Sequence, residues 1–136
     1  MKIKAEVKAS ELRRFLSLLC GKAGIPKEVA APLIGGLLET SLRGVDSHGV
    51  RLLPHYLRAV ATGRVDPRAK HAFRKTGPST GVLDAGHGFG IPAGMRAMEK
   101  AMELGAASGG GAVAVTNSSH FGAAAIYALQ AARSNM

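Results

Sequence analysis

The stretch Ala112–Thr116, Ala-Val-Ala-Val-Thr, is a short apolar run between the glycines of 109–111 and the polar residues of 117–120. Small and β-branched residues bounded by turn signals read as a buried strand. A buried strand makes a demand on the whole chain, because it needs neighbours at its edges and a layer over each face. Only two other stretches carry strand patterns, Ala72–Thr76 and Gly81–Asp84, on either side of the turn signal Gly77-Pro78-Ser79. Two or three short strands make a poor sheet alone. The sequence is therefore expected to be a section of a longer fold. Its run at Ala112–Thr116 should be short of partner strands and should expose apolar surface.

Helices account for the rest. Ser10-Glu11, followed by Leu12, Phe15, Leu16 and Leu19, has the i, i+3, i+4, i+7 spacing of a helix face. Ser10 is its expected N-cap, and Gly21 or Gly24 stops it. A second helix is expected from Pro26 to Arg43, capped by Gly44, with Val29, Leu33, Leu37 and Thr40 on one face. Pro32 removes a backbone donor from it and is expected to kink it or shift its start. A third covers Leu52 to Ala61 and ends at Gly63. Further on, Gly86–Gly90 reads as a loop and Ile91–Leu104 as a helix, whose Met95, Met98 and Met102 stripe suits core packing. Asn117–His120 reads as a turn and Gly122–Arg133 as a last helix. The fold class is α/β with an α+β-like order: N-terminal helices, then alternating strands and helices in an incomplete mixed sheet. Residues 1–68 are expected to form a helical region and residues 69–136 the start of a strand/helix region.

The 136 residues suffice for one domain, and 46% hydrophobic with 20% charged residues is a globular composition. No apolar run approaches the ~18–20 residues of a membrane span. The start, Met1-Lys2-Ile3-Lys4, alternates basic and apolar residues, with no signal-type core behind it. The single cysteine, Cys20, sits among leucines and reads as a buried small hydrophobe, so the expected compartment is the cytoplasm. The net charge of +9 is uneven: residues 1–75 hold 15 Lys/Arg against 6 Asp/Glu, and residues 76–136 hold 3 against 3. A basic half suits anionic substrates or nucleic acid. The basic residues are scattered, and only 4% of residues are aromatic, which disfavours a nucleic-acid surface.

Two segments carry chemistry. In Gly44-Val45-Asp46-Ser47-His48-Gly49, flanking glycines permit sharp turns that present Ser47 and His48 on a loop. Histidine suits proton transfer near neutral pH, and Ser47 is placed to orient rather than attack. Arg51, three residues on, could hold a substrate carboxylate. A capping Asp/Ser beside a surface histidine is the plainer alternative. In Thr116-Asn117-Ser118-Ser119-His120-Phe121-Gly122, a strand gives way to a helix, a junction that favours anions. There the alternative is a polar N-cap box with a satisfied histidine. Gly86-His87-Gly88-Phe89-Gly90 fails the dinucleotide fingerprint, since the third glycine would fall on Ile91. His55 and His71 read as surface or structural residues, and no cluster has metal-ligand spacing.

Leu42-Arg43-Gly44-Val45-Asp46-Ser47-His48-Gly49, continuing through Pro54 and Tyr56, resembles a signature of the malate/L-lactate dehydrogenase family. Asn117-Ser118-Ser119-His120-Phe121-Gly122 resembles the next, and the 72-residue interval between His48 and His120 fits as well. The resemblance implies a non-Rossmann fold with a mixed sheet, NAD or NADP as hydride carrier, and a homodimer. It implies a 2-hydroxyacid dehydrogenase whose relatives include ureidoglycolate and sulfolactate dehydrogenases and imino-acid reductases. Positions matching Ser47 and His48 act as relay and proton donor in the imino-acid branch. The position matching His120 is the proton acceptor in the ureidoglycolate branch. The stretch matching His120, Phe121, Gly122, Ala123 and Ala124 contacts the cofactor. The family's substrate arginine falls on Leu52 here, one place after Arg51. Since the family's members are more than twice this length, an N-terminal part that is inactive alone is expected. The competing expectations are an inactive remnant that keeps dimer-forming helices, and a basic nucleic-acid module.

Overall fold

The computed structural model describes residues 6–136, so the alternation at Met1–Lys4 lies outside the described residues. The first half is helical: α1 (Ala9–Lys22), α2 (Lys27–Leu42), two single 3-10 turns at Asp46–His48 and Val50–Leu52, and α3 (Leu53–Ala61). The second half runs β1 (Ala72–Lys75), β2 (Thr80–Gly88), α4 (Gly90–Ser108), β3 (Ala112–Ser118) and α5 (Ala125–Ala132).

Helix α2 is the hub. Ala30, Leu33, Ile34, Leu37, Leu38 and Thr40 are all buried, so it is wrapped rather than laid on a surface. Thr40 returns its hydroxyl proton to the Gly36 carbonyl at 2.8 Å, which satisfies the one buried polar side chain of this helix. Pro32 sits inside α2 without ending it, and the start falls where Pro26 predicts. In α1 the expected capping serine is wrong: Lys8 is the N-cap, no side chain caps it, and Ser10 lies within the first turn. Leu16 and Cys20 of α1 are buried, whereas Phe15 remains 55% exposed, so its apolar face is narrower than the spacing suggests.

The sheet has the order β1-β2-β3, with β1 antiparallel to β2 and β3 parallel to it. Helix α4 makes the crossover between the parallel pair and covers one face, where Leu83, Ala85, Ala93 and Ala97 form a small core. A larger core joins Leu33, Leu37, Leu53 and Tyr56 to Phe89, Ile91 and Ile126, so helices from both halves of the chain close on it. The end of β2 and the start of α5 differ from expectation. Strand β2 runs on to Gly88 through a bulge at Gly86 and His87, whose φ values of +57° and +64° are left-handed, and the Asp66 N–H donates to the His87 carbonyl there at 3.0 Å. Strand β3 exposes apolar surface as its expected shortage of partners implies: Val113 and Val115 are half-buried and their neighbours exposed, since β3 pairs on one side only among the described residues. Helix α5 starts at Ala125 rather than Gly122, because Gly122 takes a left-handed φ of +73° that no helix accommodates.

Candidate active site

The loop after α2 carries Ser47 and His48 on a 3-10 turn. This loop can lie flat because of Gly49: a Cβ there would meet the Ser41 Cβ at 3.1 Å and its Cα at 3.2 Å. The Ser41 hydroxyl instead accepts the Val50 N–H at 2.9 Å, which ties the second 3-10 turn to α2. Ser47 Oγ then reaches His48 Nδ1 at 3.0 Å. Adjacent residues thus do bond, with the hydroxyl orienting the ring as the sequence suggests.

His120 approaches from the other half of the chain. Its ring stacks on His48 with centroids 5.7 Å apart and planes 25° apart. The 71 residues between the two histidines are therefore closed into a loop that brings the two rings together. The segment bearing His120 is pinned at three points. The Gly90 N–H donates to Ser119 Oγ at 3.1 Å, and Tyr127 donates its hydroxyl proton to the Phe121 carbonyl. Gly122 packs so closely on Ile91 that a Cβ would stand 2.9 Å from its Cδ1. His120 itself lies five residues ahead of α5, so it does not stand at the helix N-terminus that the sequence suggests.

Two neighbours were not singled out by sequence reasoning as site groups. Tyr56, on the buried face of α3, places its hydroxyl 2.8 Å from His120 Nδ1. His55, exposed as expected, still holds its ring 6.3 Å from that of His120 and bonds Arg64 at 3.0 Å. Partial desolvation lowers the pKa of His120, and the neighbouring His48 and His55 lower it further. Burial pushes the Tyr56 phenol up to about 12. Arg51 lies exposed on the second 3-10 turn and forms no side-chain hydrogen bond among the described residues. Its guanidinium is open to a ligand.

A cleft of about 560 Å³ opens beside the His120 loop. Its walls are apolar, with Ala97, Met98, Val113 and Val115 from α4 and β3, and Ser118, Ser119 and Phe121 at its rim. A flat ring with few polar atoms suits such walls, whereas no charged side chain lines the cleft for a diphosphate. At the neighbouring strand ends the Asn117 amide donates to both Asp84 carboxylate oxygens, at 3.2 and 3.1 Å, and the Gly86 N–H donates to Oδ1 at 2.8 Å. The Gly86 and Asn117 bonds hold the Asp84 carboxyl below its ordinary range. Among the described residues no group of His, Cys, Asp and Glu is arranged to hold a metal ion.

Residues 7–136 match the family model described as malate/L-lactate dehydrogenase. The malate dehydrogenase of Pyrococcus abyssi is 38% identical over 126 residues, which are 93% of this chain and 35% of that protein. A (2R)-3-sulfolactate dehydrogenase named for NADP+, from Chromohalobacter salexigens, is 36% identical over 101 residues, 74% of this chain and 30% of that protein. The solved malate dehydrogenase of Pyrococcus horikoshii superposes with a TM-score of 0.92 at 35% identity, over 97% of this chain and 38% of that one. The chain thus spans about a third of the length of the relatives it matches.

Proposed function

Because the chain belongs to the malate/L-lactate dehydrogenase family, we propose that it supplies part of a site for reversible hydride transfer between NAD or NADP and a small 2-hydroxy/2-oxo acid or cyclic imino acid. The observation that carries this reading is the stacking of His48 on His120, with Ser47 bonded to the first. Two imidazoles side by side can hold one small ligand oxygen or nitrogen and exchange a proton with it. Arg51 is the proposed carboxylate clamp, and the positive first half of the chain favours anionic substrates.

The bound nicotinamide supplies the hydride. Phe121, Gly122, Ala123 and Ala124, which follow His120, are the proposed contacts of that group, and Phe121 also lines the apolar cleft. Ser47, His48 and His120 face the substrate oxygen or nitrogen, where the proton is exchanged. Residues 1–68 bring the first histidine and the arginine, and residues 69–136 the second histidine and the cleft. A homodimer in the cytoplasm is part of the proposal; no helix among the described residues is long and apolar enough to cross a membrane.

The test is a chimera in which residues 7–136 replace the matching segment of the Pyrococcus horikoshii enzyme, assayed by absorbance of NADH or NADPH with a panel of 2-oxo acids. Turnover is expected. His48→Ala should lower it roughly 10²–10⁴-fold while cofactor binding stays within a few-fold. A folded chimera whose His48→Ala and His120→Ala variants both keep the parent rate would refute the proposal.

A further inference from the structure

His120 Nδ1 has two hydrogen-bonding partners: the Tyr56 hydroxyl at 2.8 Å and the Gly122 backbone N–H at 3.3 Å. A backbone N–H only donates, so the ring nitrogen facing it must present a lone pair. A proton on Nδ1 would point two N–H groups at each other. We propose that Tyr56 is a positioning residue that, with the Gly122 N–H, locks His120 as the neutral Nε2–H imidazole, so that His120 donates a hydrogen bond to the substrate oxygen and does not take up its proton. This rests on the hydride-transfer reading for the word substrate only; the tautomer follows from the hydrogen bonds.

The surroundings agree with the lock. Tyr56 is 1% exposed, and its phenol keeps its proton well above neutral pH, so it donates to Nδ1. Gly122 cannot drift away, because its φ of +73° and its contact with Ile91 fix the N–H direction. The titratable and charged groups facing the ring are His48 from the first 3-10 turn, His55 and Tyr56 from α3, and Arg64 through His55. Among the described residues none of these is acidic, so none of them would stabilise an imidazolium.

His48 stands in contrast. Among the described residues its Nδ1 meets the Ser47 hydroxyl alone, which can rotate to donate or to accept. Both tautomers and the cation are open to it. In the reducing direction the substrate carbon gains the hydride of the reduced nicotinamide and the oxygen gains the Nε2 proton of cationic His48. His48 is left neutral, with Nδ1–H donating to Ser47. His120 meanwhile holds the oxygen through Nε2–H and loses nothing. The arrangement assigns proton transfer to one histidine and polarisation to the other.

Long-range proton–nitrogen NMR of the chain labelled with ¹⁵N-histidine reads the tautomer directly, whether or not the chain turns over any substrate. The expected spectrum shows His120 protonated on Nε2 across neutral pH. Tyr56→Phe keeps the ring packed on Phe89 and removes the hydroxyl. It should raise the proton affinity of His120 several-fold, as loss of one hydrogen bond to the neutral ring implies. Should that variant not fold, a ring-fluorinated tyrosine placed at Tyr56, a stronger donor of similar shape, should lower the affinity. A His120 protonated on Nδ1, or a proton affinity that ignores changes in the position-56 hydroxyl, would overturn the proposal. A locked tautomer together with an inactive chimera would leave the lock standing and remove the dehydrogenase reading.

Discussion

Gly90→Ala tests how the site is held together. Gly90 opens α4, and its backbone lies against the segment that carries His120. A Cβ there would stand 2.5 Å from the His120 carbonyl oxygen and 2.7 Å from its carbonyl carbon, with the Ser119 carbonyl oxygen closer still. Ordinary contacts between such atoms begin near ~3.5 Å, so the 119–120 backbone must withdraw by about 1 Å. Overpacking of this kind costs about 1–3 kcal/mol. Losing the Gly90–Ser119 hydrogen bond costs about 1 kcal/mol more, and the gain from replacing a helical glycine offsets a similar amount. The net expectation is about 1–3 kcal/mol of lost stability, together with altered His120 ring resonances. Gly110→Ala is the control, because nothing lies within 4 Å of its Cβ position; that change should stay within about 0.5 kcal/mol. Equilibrium urea unfolding of both variants measures the difference. Coincident midpoints with unchanged His120 resonances would refute the claim that the α4 start positions the loop.

Stability should fall with acidification in two stages. His120 and His71 have lowered folded pKa values, each through desolvation first, with His48 and His55 adding for His120 and Arg96 for His71. The unfolded rings therefore bind protons first, and stability drops as the pH falls below about 6.5. Asp84, also lowered, adds a second loss below the carboxylate value of 3.8. Urea midpoints at pH 7.5, 5.5 and 3 check both stages, and a flat profile would contradict them. The cleft walled by Met98, Val113 and Val115 should bind an apolar-surface dye in the native chain, and absence of dye fluorescence would show it closed in solution. The 136-residue chain alone should give no steady NADH or NADPH oxidation with 2-oxo acids, because no charged group lines its cleft and it spans 35% of the Pyrococcus abyssi relative. Turnover proportional to chain concentration and lost in His120→Ala would overturn that expectation.

Helix periods and glycine stops were legible because they are local. The spacing in α2 and α3, with Gly44 and Gly63 beyond their ends, is written within a few residues. What failed was set by partners distant in sequence. Nothing within Gly86-His87-Gly88 announces a strand; the stretch is a bulge with Gly86 and His87 at positive φ, held where Asp66 bonds to it and Ala69 leaves no room for a Cβ at Gly88. The composition of β3 is that of a buried strand, and the expected shortage of partners leaves it exposed, since among the described residues only β2 lies beside it. Likewise the run after Gly122 is alanine-rich enough for helix, but the packing of that glycine on Ile91 holds the chain in a loop until Ala125.

The site divides along the same line. Ser47, His48 and His120 were legible as candidates through their motifs, Gly44–Gly49 and Thr116–Gly122, although a capping role was the plainer alternative for the first. Tyr56 was not. It falls on the same face as Leu53 and Ala59, and all three are buried, so its spacing says core and its ring is core. Only its hydroxyl belongs to the site, and whether a buried phenol ends on solvent, on a carbonyl or on an imidazole depends on how α3 crosses the His120 loop. That crossing is fixed by Phe89 and Ile91, which pack with Tyr56 in the same core and start the helix whose Gly90 pins Ser119. The packing that buries the tyrosine therefore also sets the distance of 2.8 Å between its hydroxyl and Nδ1. Substitutions in this core should reach the histidine through Tyr56 before they reach the fold. The protonation of His120 is then a more sensitive reporter of that packing than unfolding is.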